Sequence, residues 1–180
     1  MRKRLLSLLL LSLVAGACAD GSDEAALLVT SEEIPSPAGV HSGEPFVSVD
    51  GGTVLMSWLE QNGEGHDLRF ARFDGSGWGE AATIAHREDF FVNWADFPSV
   101  RPGPQGTLWA HWLQRGEAGG YDYGVHIVRS DDGGVTWSES RTVHDDDSPT
   151  EHGFVSAFEE GDEIGFVWLD GRKNDPARLA

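Results

Sequence analysis

Nine residues of types that bind ligands or transfer protons occur in loops at corresponding places along the chain. A carboxylic acid such as Asp96 can donate a proton, and an arginine such as Arg172 can hold a carboxylate through two parallel hydrogen bonds. Each loop comes before the first or after the second strand of a predicted unit, so we expect all of them at one end of the sheets. The residues are His41, Asn93, Trp94, Asp96, Arg115, Glu151, His152, Asp170 and Arg172.

A second group of polar residues lies in the motif "SDDGGVTW" at residues 130–137. Its carboxylates and glycines are compatible with a calcium site, a catalytic carboxylate pair or a strand-joining turn. The turn is favoured because glycines allow positive φ, the Asp132 carboxylate can accept hydrogen bonds from local N–H groups, and the loop offers too few spaced oxygens for a calcium cage. The residues given this structural role are Ser130, Asp132, Gly134, Thr136 and Trp137.

Short apolar runs that end in Trp-Leu repeat along the chain and predict the strands that position these loops. Trp58, Trp112 and Trp168 end three such runs at spacings of 54 and 56 residues. Both alternating faces of each run are largely apolar, which is typical of strands covered on both sides. A shorter strand precedes each run across a glycine-bearing turn, and two more strands follow each of the first two runs, the last of them at residues 77–85 and 136–144.

Repeated units of four antiparallel strands, with no helical period between them, predict an all-β fold of the β-propeller type. The blades are expected at about residues 39–90, 91–148 and 149–180, which gives about two and a half blades. Three blades do not close a ring, so the sequence predicts the N-terminal half of a larger propeller. The alternative is a short protein that closes by self-association.

The first residues have the pattern of a targeting segment. "MRKR" is basic, "LLSLLLLSLVAGA" is apolar, and small residues precede Cys18, the single cysteine of the chain. This arrangement resembles a bacterial lipobox, which implies a signal peptide over residues 1–17, a lipid on Cys18, and a flexible tether over residues 18–38. The alternative is an ordinary secretory signal, and in either case the protein is expected to be exported to the bacterial cell envelope.

The motif at residues 130–137 fits Ser-x-Asp-x-Gly-x-Thr-Trp and resembles the Asp-box, or BNR, repeat of the sialidase superfamily. "FDGSGW" at residues 73–78 is similar to a degenerate copy. "FVNWADFPSV", "PTEHGFVSAF" and "VWLDGRKN" resemble stretches of bacterial exo-α-sialidase-like exported proteins. The resemblance covers about residues 41–180 and implies a six-bladed sialidase-type propeller, of which this chain is a fragment.

The resemblance implies a glycoside hydrolase that removes terminal sialic acids or related sugars. Asp96 is then the acid/base, and Arg172 and Arg115 are clamps for the sugar carboxylate. The remaining six loop-end residues are expected to line the substrate pocket. The chain departs from the family because "EPFVSV" stands where an Arg-Ile-Pro motif is expected, and nothing matches Tyr121 or Tyr123 to the nucleophile. We therefore expect no sialidase activity from this chain alone.

The amino-acid composition limits the classes of partner that the protein is expected to bind. The formal net charge of −17 argues against binding nucleic acid, because phosphates would be repelled. The seven histidines are scattered over different units, so the sequence predicts no metal site and no cofactor. Carbohydrate and the membrane, through the lipid, are the expected partners. A non-catalytic cell-surface propeller that binds glycan or protein is the alternative function, and a purely structural segment is a weaker one.

Overall fold

The structure, a computed structural model, describes residues 30–174. The predicted signal peptide, Cys18 and most of the predicted tether lie outside the described residues. The chain divides into two units, Met1–Glu33 and Ile34–Ala180. Residues 30–33 are exposed and have no regular structure, and the sheets described below all belong to the second unit. No helix in the described part of the chain is long and apolar enough to span a membrane.

The described residues form ten β-strands in three antiparallel sheets, which confirms the predicted all-β class. The first sheet has the order β1-β2-β3-β4, the second β5-β6-β7-β8, and the third pairs β9 with β10. Two 3-10 turns, Pro104–Gly106 and Gly171–Asn174, complete the elements. The strands are β1 Ser42–Asp50, β2 Thr53–Asn62, β3 Gly65–Phe73, β4 Ala82–Arg87, β5 Ser99–Pro102, β6 Leu108–Arg115, β7 Tyr123–Ser130, β8 Arg141–Thr142, β9 His152–Glu160 and β10 Glu163–Asp170.

The fourth strands begin later than the sequence predicts. They were expected from residues 77 and 136, but β4 begins at Ala82 and β8 at Arg141. Local hydrogen bonds explain the difference, because carboxylates that bind nearby N–H groups compete with the strand ladder. The Asp74 carboxylate accepts hydrogen bonds from the N–H groups of Ser76 (2.8 Å) and Gly77 (3.2 Å), which keeps that segment in a turn.

The core lies between successive sheets. Alternation along β2 and β3 places Leu55, Leu59, Leu68 and Phe70 on the face of the first sheet that packs against the second. The face of the second sheet that packs against them consists of Val100, Leu108, Ala110, Trp112 and Val128.

Hydrogen bonds also join these two sheets. The Ser57 hydroxyl accepts a hydrogen bond from the Val100 N–H (3.2 Å), and the Ser48 hydroxyl donates to the Val100 carbonyl (2.8 Å). Both serines lie on strands of the first sheet and Val100 lies on β5. These polar contacts fix the position of one sheet on the other, which apolar packing alone does not do.

The opposite face of the second sheet packs on the third. Phe91, Leu113, Tyr123 and Val125 form a second buried cluster, against which the partly buried Val155 and Trp168 pack. Trp109 contacts Phe166 edge-on, with ring centroids 5.9 Å apart. The second sheet therefore uses one face toward its predecessor in the chain and the other toward its successor.

The turn at residues 130–137 is closed by the Asp132 side chain. Its carboxylate accepts hydrogen bonds from the N–H groups of Val135 (3.0 Å) and Thr136 (2.9 Å) and from the hydroxyls of Ser130 and Thr136. The hydroxyl of Thr136, followed by its N–H and by the Ser130 hydroxyl, lowers the pKa of Asp132 to about 2. Trp137 packs edge-on against Phe70 of the first sheet, with centroids 6.0 Å apart.

Candidate functional site

Asp96 is the most buried carboxyl among the nine loop-end residues. It follows a tight turn in which the Asn93 side chain accepts a hydrogen bond from the Ala95 N–H (2.9 Å). The residue is only 3% exposed, and its carboxyl packs directly against the backbone of Gly153, where a side chain would overlap it. Burial raises the pKa of Asp96, the nearby Glu151 carboxylate adds to this, and the Phe154 N–H and the Tyr123 hydroxyl oppose it.

Tyr123 is the aromatic partner of Asp96. It begins β7, is 3% exposed, and stacks on Phe91 with centroids 4.0 Å apart. An isolated bridge pairs its backbone with that of Glu151, which brings the third sheet's entry loop to the second sheet. Burial, followed by the charges of Asp96 and Glu151, raises the pKa of the Tyr123 hydroxyl well above its ordinary value. The hydroxyl therefore stays protonated and donates a hydrogen bond.

Arg115 lies on the outer side of this aromatic stack. Its guanidinium carbon is 4.8 Å from the centroid of the Phe91 ring, and the side chain is exposed at the end of β6. Within the described residues no carboxylate forms an ion pair with it. Stacking on an aromatic ring orients a guanidinium while leaving its N–H groups free to bind an anion.

Arg172 is held by carboxylates of the protein itself. Its Nε donates to both oxygens of Asp170 (2.9 and 2.8 Å), its Nη2 also contacts Asp170, and its Nη1 donates to Asp145 (2.8 Å). The Arg172 hydrogen bonds lower the pKa of Asp170 to about 2. Asp170 and Arg172 thus pair across a turn, and Arg172 has fewer free donors for a ligand than Arg115.

His152 connects this ion pair with Asp96. It is 1% exposed at the start of β9, next to Gly153, and its Nε2 lies 3.5 Å from oxygens of both Asp146 and Asp170. Its ring stacks on that of His144, with centroids 4.0 Å apart and an angle of 9° between the planes. A cleft of about 160 Å³ next to the two rings is also lined by Arg115 and Tyr123.

Exposed aromatic rings flank the loop end. Trp94 is 85% exposed at the tip of the turn that leads to Asp96, and Tyr121 is 70% exposed with its ring 6.5 Å from that of Phe91. Flat exposed rings beside polar groups can stack on the apolar faces of sugar rings. Trp94 and Tyr121 are therefore exposed rings that each lie two residues before a buried polar residue, Asp96 and Tyr123.

The structure thus brings most of the predicted loop-end residues into one neighbourhood. Asp96 packs on Gly153 next to His152, whose Nε2 lies near Asp170, and Asp170 in turn binds Arg172. Glu151 precedes His152 and bridges to Tyr123, Asn93 and Trp94 lie in the turn before Asp96, and Arg115 stacks on Phe91 beside Tyr123. His41 is placed differently: it is exposed on the first sheet, where its carbonyl accepts a hydrogen bond from the Gln61 N–H (2.9 Å). No contact described by the structure connects His41 with this series.

Three residues of this neighbourhood were not among the predicted site residues. The sequence predicts Tyr123 in the loop before a strand, whereas it is the first residue of β7 and is buried. Asp145 and Asp146 belong to the acidic run "HDDDSP", whose members are individually indistinguishable before folding. The sequence signal for the two aspartates is the position of this acidic run, directly before the predicted loop-end segment at residues 150–153.

Histidine and carboxylate side chains lie close together at this loop end, with His152 between Asp146 and Asp170. Within residues 30–174, no group of three or more histidine, cysteine, aspartate or glutamate side chains is arranged to hold a metal ion. No protein-family model and no curated protein matches the chain.

Proposed function

We propose that this chain is part of an exported, exo-α-sialidase-like glycoside hydrolase that recognises terminal sialic acids or related sugars. The observation that carries the proposal is Asp96, a carboxyl whose pKa is raised by burial and by Glu151, next to a tyrosine hydroxyl at the loop end of the sheets. Protonation of a glycosidic oxygen requires a carboxylic acid, and a raised pKa favours the protonated form of a carboxyl. Asp96 is therefore the proposed acid/base.

The architecture proposed with this function is a β-propeller. Support comes from the way the sheets stack. The first sheet packs on the second and the second on the third, and β1 of the first sheet lies against β5 of the second. In a propeller this stacking places the loops that precede first strands and follow second strands at one end. The turns at residues 74–77 and 131–136 belong to the other end.

Recognition of the sugar is proposed to rest on Arg115 and Trp94. Arg115 is exposed, stacked on Phe91, and oriented for a carboxylate, which is the charged group of a sialic acid. Trp94 offers an exposed ring for the sugar's apolar face. The acidic surface of a chain with net charge −17 makes such a fixed cation necessary for an anionic ligand.

Binding of a sialoside tests this proposal. We expect the full chain to bind a sialyl-oligosaccharide and to discriminate against the same sugar without its sialic acid, measured by ligand-observed NMR titration. Arg115→Gln is expected to weaken sialoside binding at least about 10-fold, because a charged hydrogen-bonded contact contributes about 1.5–3 kcal/mol. Arg141→Gln, which removes an exposed arginine of β8, is the matched control and should bind like the parent chain. Equal binding of both sugars would refute the proposal.

Turnover is not expected from the chain by itself. Asp96 and Arg115 are the proposed acid and carboxylate clamp, but a sialidase also needs an activated tyrosine nucleophile, and the raised pKa of Tyr123 is the opposite of activation. A fluorogenic sialoside incubated with the 180-residue chain should therefore release no more fluorophore than the buffer blank. Robust hydrolysis would show that the catalytic groups are more complete than proposed.

A non-catalytic glycan-binding surface protein is the second candidate. It is favoured by the burial of Asp96, which is only 3% exposed, and by the occupation of Arg172 by Asp170 and Asp145. The hydrolase and the binding protein can be distinguished with a sialic acid analogue. A ring double bond makes this analogue planar at the anomeric carbon. A hydrolase site is expected to bind this analogue much more tightly than the sialoside, because it resembles the transition state. A binding surface should show no such preference.

A further inference from the structure

The first strand of the third sheet is irregular next to the candidate site. On β9 the register with β10 shifts after Gly153 and is regular again at Ser156. Two residues, Phe154 and Val155, therefore occupy the space opposite Trp168. An extra residue of this kind is a β-bulge, which bends a strand and redirects the groups that the strand carries.

Phe154 holds this bulge in an unusual backbone conformation. Its φ is +51°, a left-handed value that residues with bulky side chains rarely adopt. The conformation directs the Phe154 N–H to the Asp96 carboxyl, which accepts a hydrogen bond from it. Strained residues concentrate at functional sites, where the surrounding structure keeps them in place.

Gly153 brings the backbone of the bulge onto the same carboxyl. A Cβ at this position would lie 2.0 Å from the Oδ2 of Asp96 and 2.8 Å from the Cε2 of Tyr123, so glycine is the residue that fits. The Oδ2 of Asp96 is buried, and within residues 30–174 it accepts no hydrogen bond. Removing a carboxylate oxygen from water without giving it a donor disfavours the charged form of the group.

Asp96 occupies the position on the second sheet that Gly153 occupies on the third. In each sheet, one residue of the first strand pairs with the residue before the repeated tryptophan, and this position lies three residues before it. The first and third sheets have glycine there, whereas the second sheet has a carboxyl that extends to the glycine of the next sheet. The residues at the position are Gly43, Asp96 and Gly153, three before Phe46, Ser99 and Ser156.

We propose that Gly153 and Phe154 are positioning residues for Asp96. The bulge places the Phe154 N–H on the carboxyl and the Gly153 backbone over its Oδ2, which fixes the carboxyl and keeps that oxygen out of water. Both residues act through Asp96 and not on a substrate. The inference rests on the proposed function for the role of Asp96 as the acid, whereas the contacts themselves require no ligand.

Burial is the main cause of the raised pKa of Asp96, and the Gly153 backbone supplies part of that burial. The hydrogen bond from Phe154 opposes the effect of burial but is the smaller influence. Two titratable groups also face the carboxyl: the charge of Glu151 raises the pKa further, and the hydroxyl of Tyr123 lowers it. Because burial dominates, a change that moves the carboxyl out of this contact should lower the pKa of Asp96.

An NMR titration of the Asp96 side-chain carboxyl carbon in the full chain tests the positioning. Gly153→Ala is expected to shift the titration midpoint of Asp96 downward, toward that of an ordinary aspartate. Gly43→Ala is the matched control, because it adds the same methyl at the equivalent position, where nothing lies within 4 Å, and its Asp96 midpoint should equal that of the parent. Phe154→Gly keeps the N–H and permits the positive φ, so it should also titrate like the parent. An unchanged midpoint in Gly153→Ala, or an equal shift in either of the other variants, would overturn the proposal.

A stability measurement covers the case in which Gly153→Ala is too unstable to titrate. Asp96→Ala removes the oxygen that the new methyl would meet, so Gly153→Ala should lower the urea midpoint less in an Asp96→Ala background than in the parent. Equal losses in the two backgrounds would contradict the proposal.

Sialoside binding, measured in parallel, separates this inference from the proposed function. A parent chain that binds no sialoside, together with the expected shift in Gly153→Ala, would refute the proposed function and leave the positioning of Asp96 supported. Sialoside binding by the parent, together with an unshifted Asp96 midpoint in Gly153→Ala, would refute the positioning alone.

Discussion

At the scale of single residues, the buried ionisable groups determine how the protein responds to acid. His111 on β6 is 3% exposed, and its Nδ1 is 2.9 Å from the Ser99 hydroxyl. Burial, reinforced by the charge of Arg101, lowers the pKa of His111 to about 3. The folded protein therefore keeps this imidazole neutral at a pH where the unfolded chain protonates it.

The sign of the effect follows from linkage. A depressed histidine pKa means that the unfolded state binds the proton first, so stability is lost as pH falls from about 6.5 toward 3. Between pH 7 and pH 4.5 the loss assigned to His111 is about 2–3 kcal/mol. His111→Gln should remove this part of the pH dependence, as measured by urea unfolding at the two pH values.

Ser99→Ala is the matched control for that measurement. It removes the hydrogen-bond partner but keeps the imidazole, so the protein should be less stable at both pH values while the pH dependence persists. If His111→Gln retained the full difference in the free energy of unfolding between pH 7 and pH 4.5, the buried neutral imidazole would not be the cause of that difference.

At the scale of elements, the turn between β7 and β8 also holds two sheets together. Gly134 adopts φ +92°, and a Cβ placed there would lie 2.3 Å from the Phe70 ring of the first sheet and 3.3 Å from Leu108. The N–H of Gly134 donates to the buried Ser130 hydroxyl (2.8 Å). The backbone of this turn is therefore packed directly on the core between the first two sheets.

Gly134→Ala is expected to destabilise the protein by about 2–4 kcal/mol, because a strained φ adds to the displacement of the buried Phe70 ring. Gly133→Ala is the control: Gly133 also has positive φ (+74°), but its Cβ would meet only the Arg72 side chain at 3.8 Å, so the cost should be about 1 kcal/mol. Thermal or urea unfolding measures both. Equal losses of stability in the two variants would mean that the close approach of Gly134 to Phe70 does not contribute to stability.

The elements were largely predictable from the sequence, whereas the site was predictable only in outline. Alternating apolar residues around Trp58, Trp112 and Trp168 determine strand positions locally, and the structure has a strand at each of the ten expected places. The side-chain pairings of the site depend on contacts between distant segments. Arg172 binds Asp145, 27 residues away, and Tyr123 bridges to Glu151, and neither contact leaves a local pattern.

At the scale of the whole molecule, net charge bears on how the protein is held at a membrane. A chain with a charge of −17 is repelled by anionic lipid surfaces, so adsorption cannot hold it there. The predicted lipid on Cys18 would supply the attachment instead, since each buried CH₂ of an acyl chain contributes about 0.8 kcal/mol and two chains suffice for stable anchoring. Attachment of the protein to the membrane should therefore depend on the Cys18 thiol and change little with salt concentration.

Cys18→Ser separates the two interpretations of the N-terminal segment. Expressed in a bacterial host, the parent chain is expected in the detergent phase after phase separation, and to stay with membranes washed in high salt. Cys18→Ser should move the protein to the aqueous phase, because no lipid can be attached and the acidic domain has no other affinity for the bilayer. Ser22→Ala, four residues further along the predicted tether, is the control and should partition like the parent. A parent chain found in the aqueous phase would instead establish an ordinary secretory signal, with Cys18 incidental to attachment.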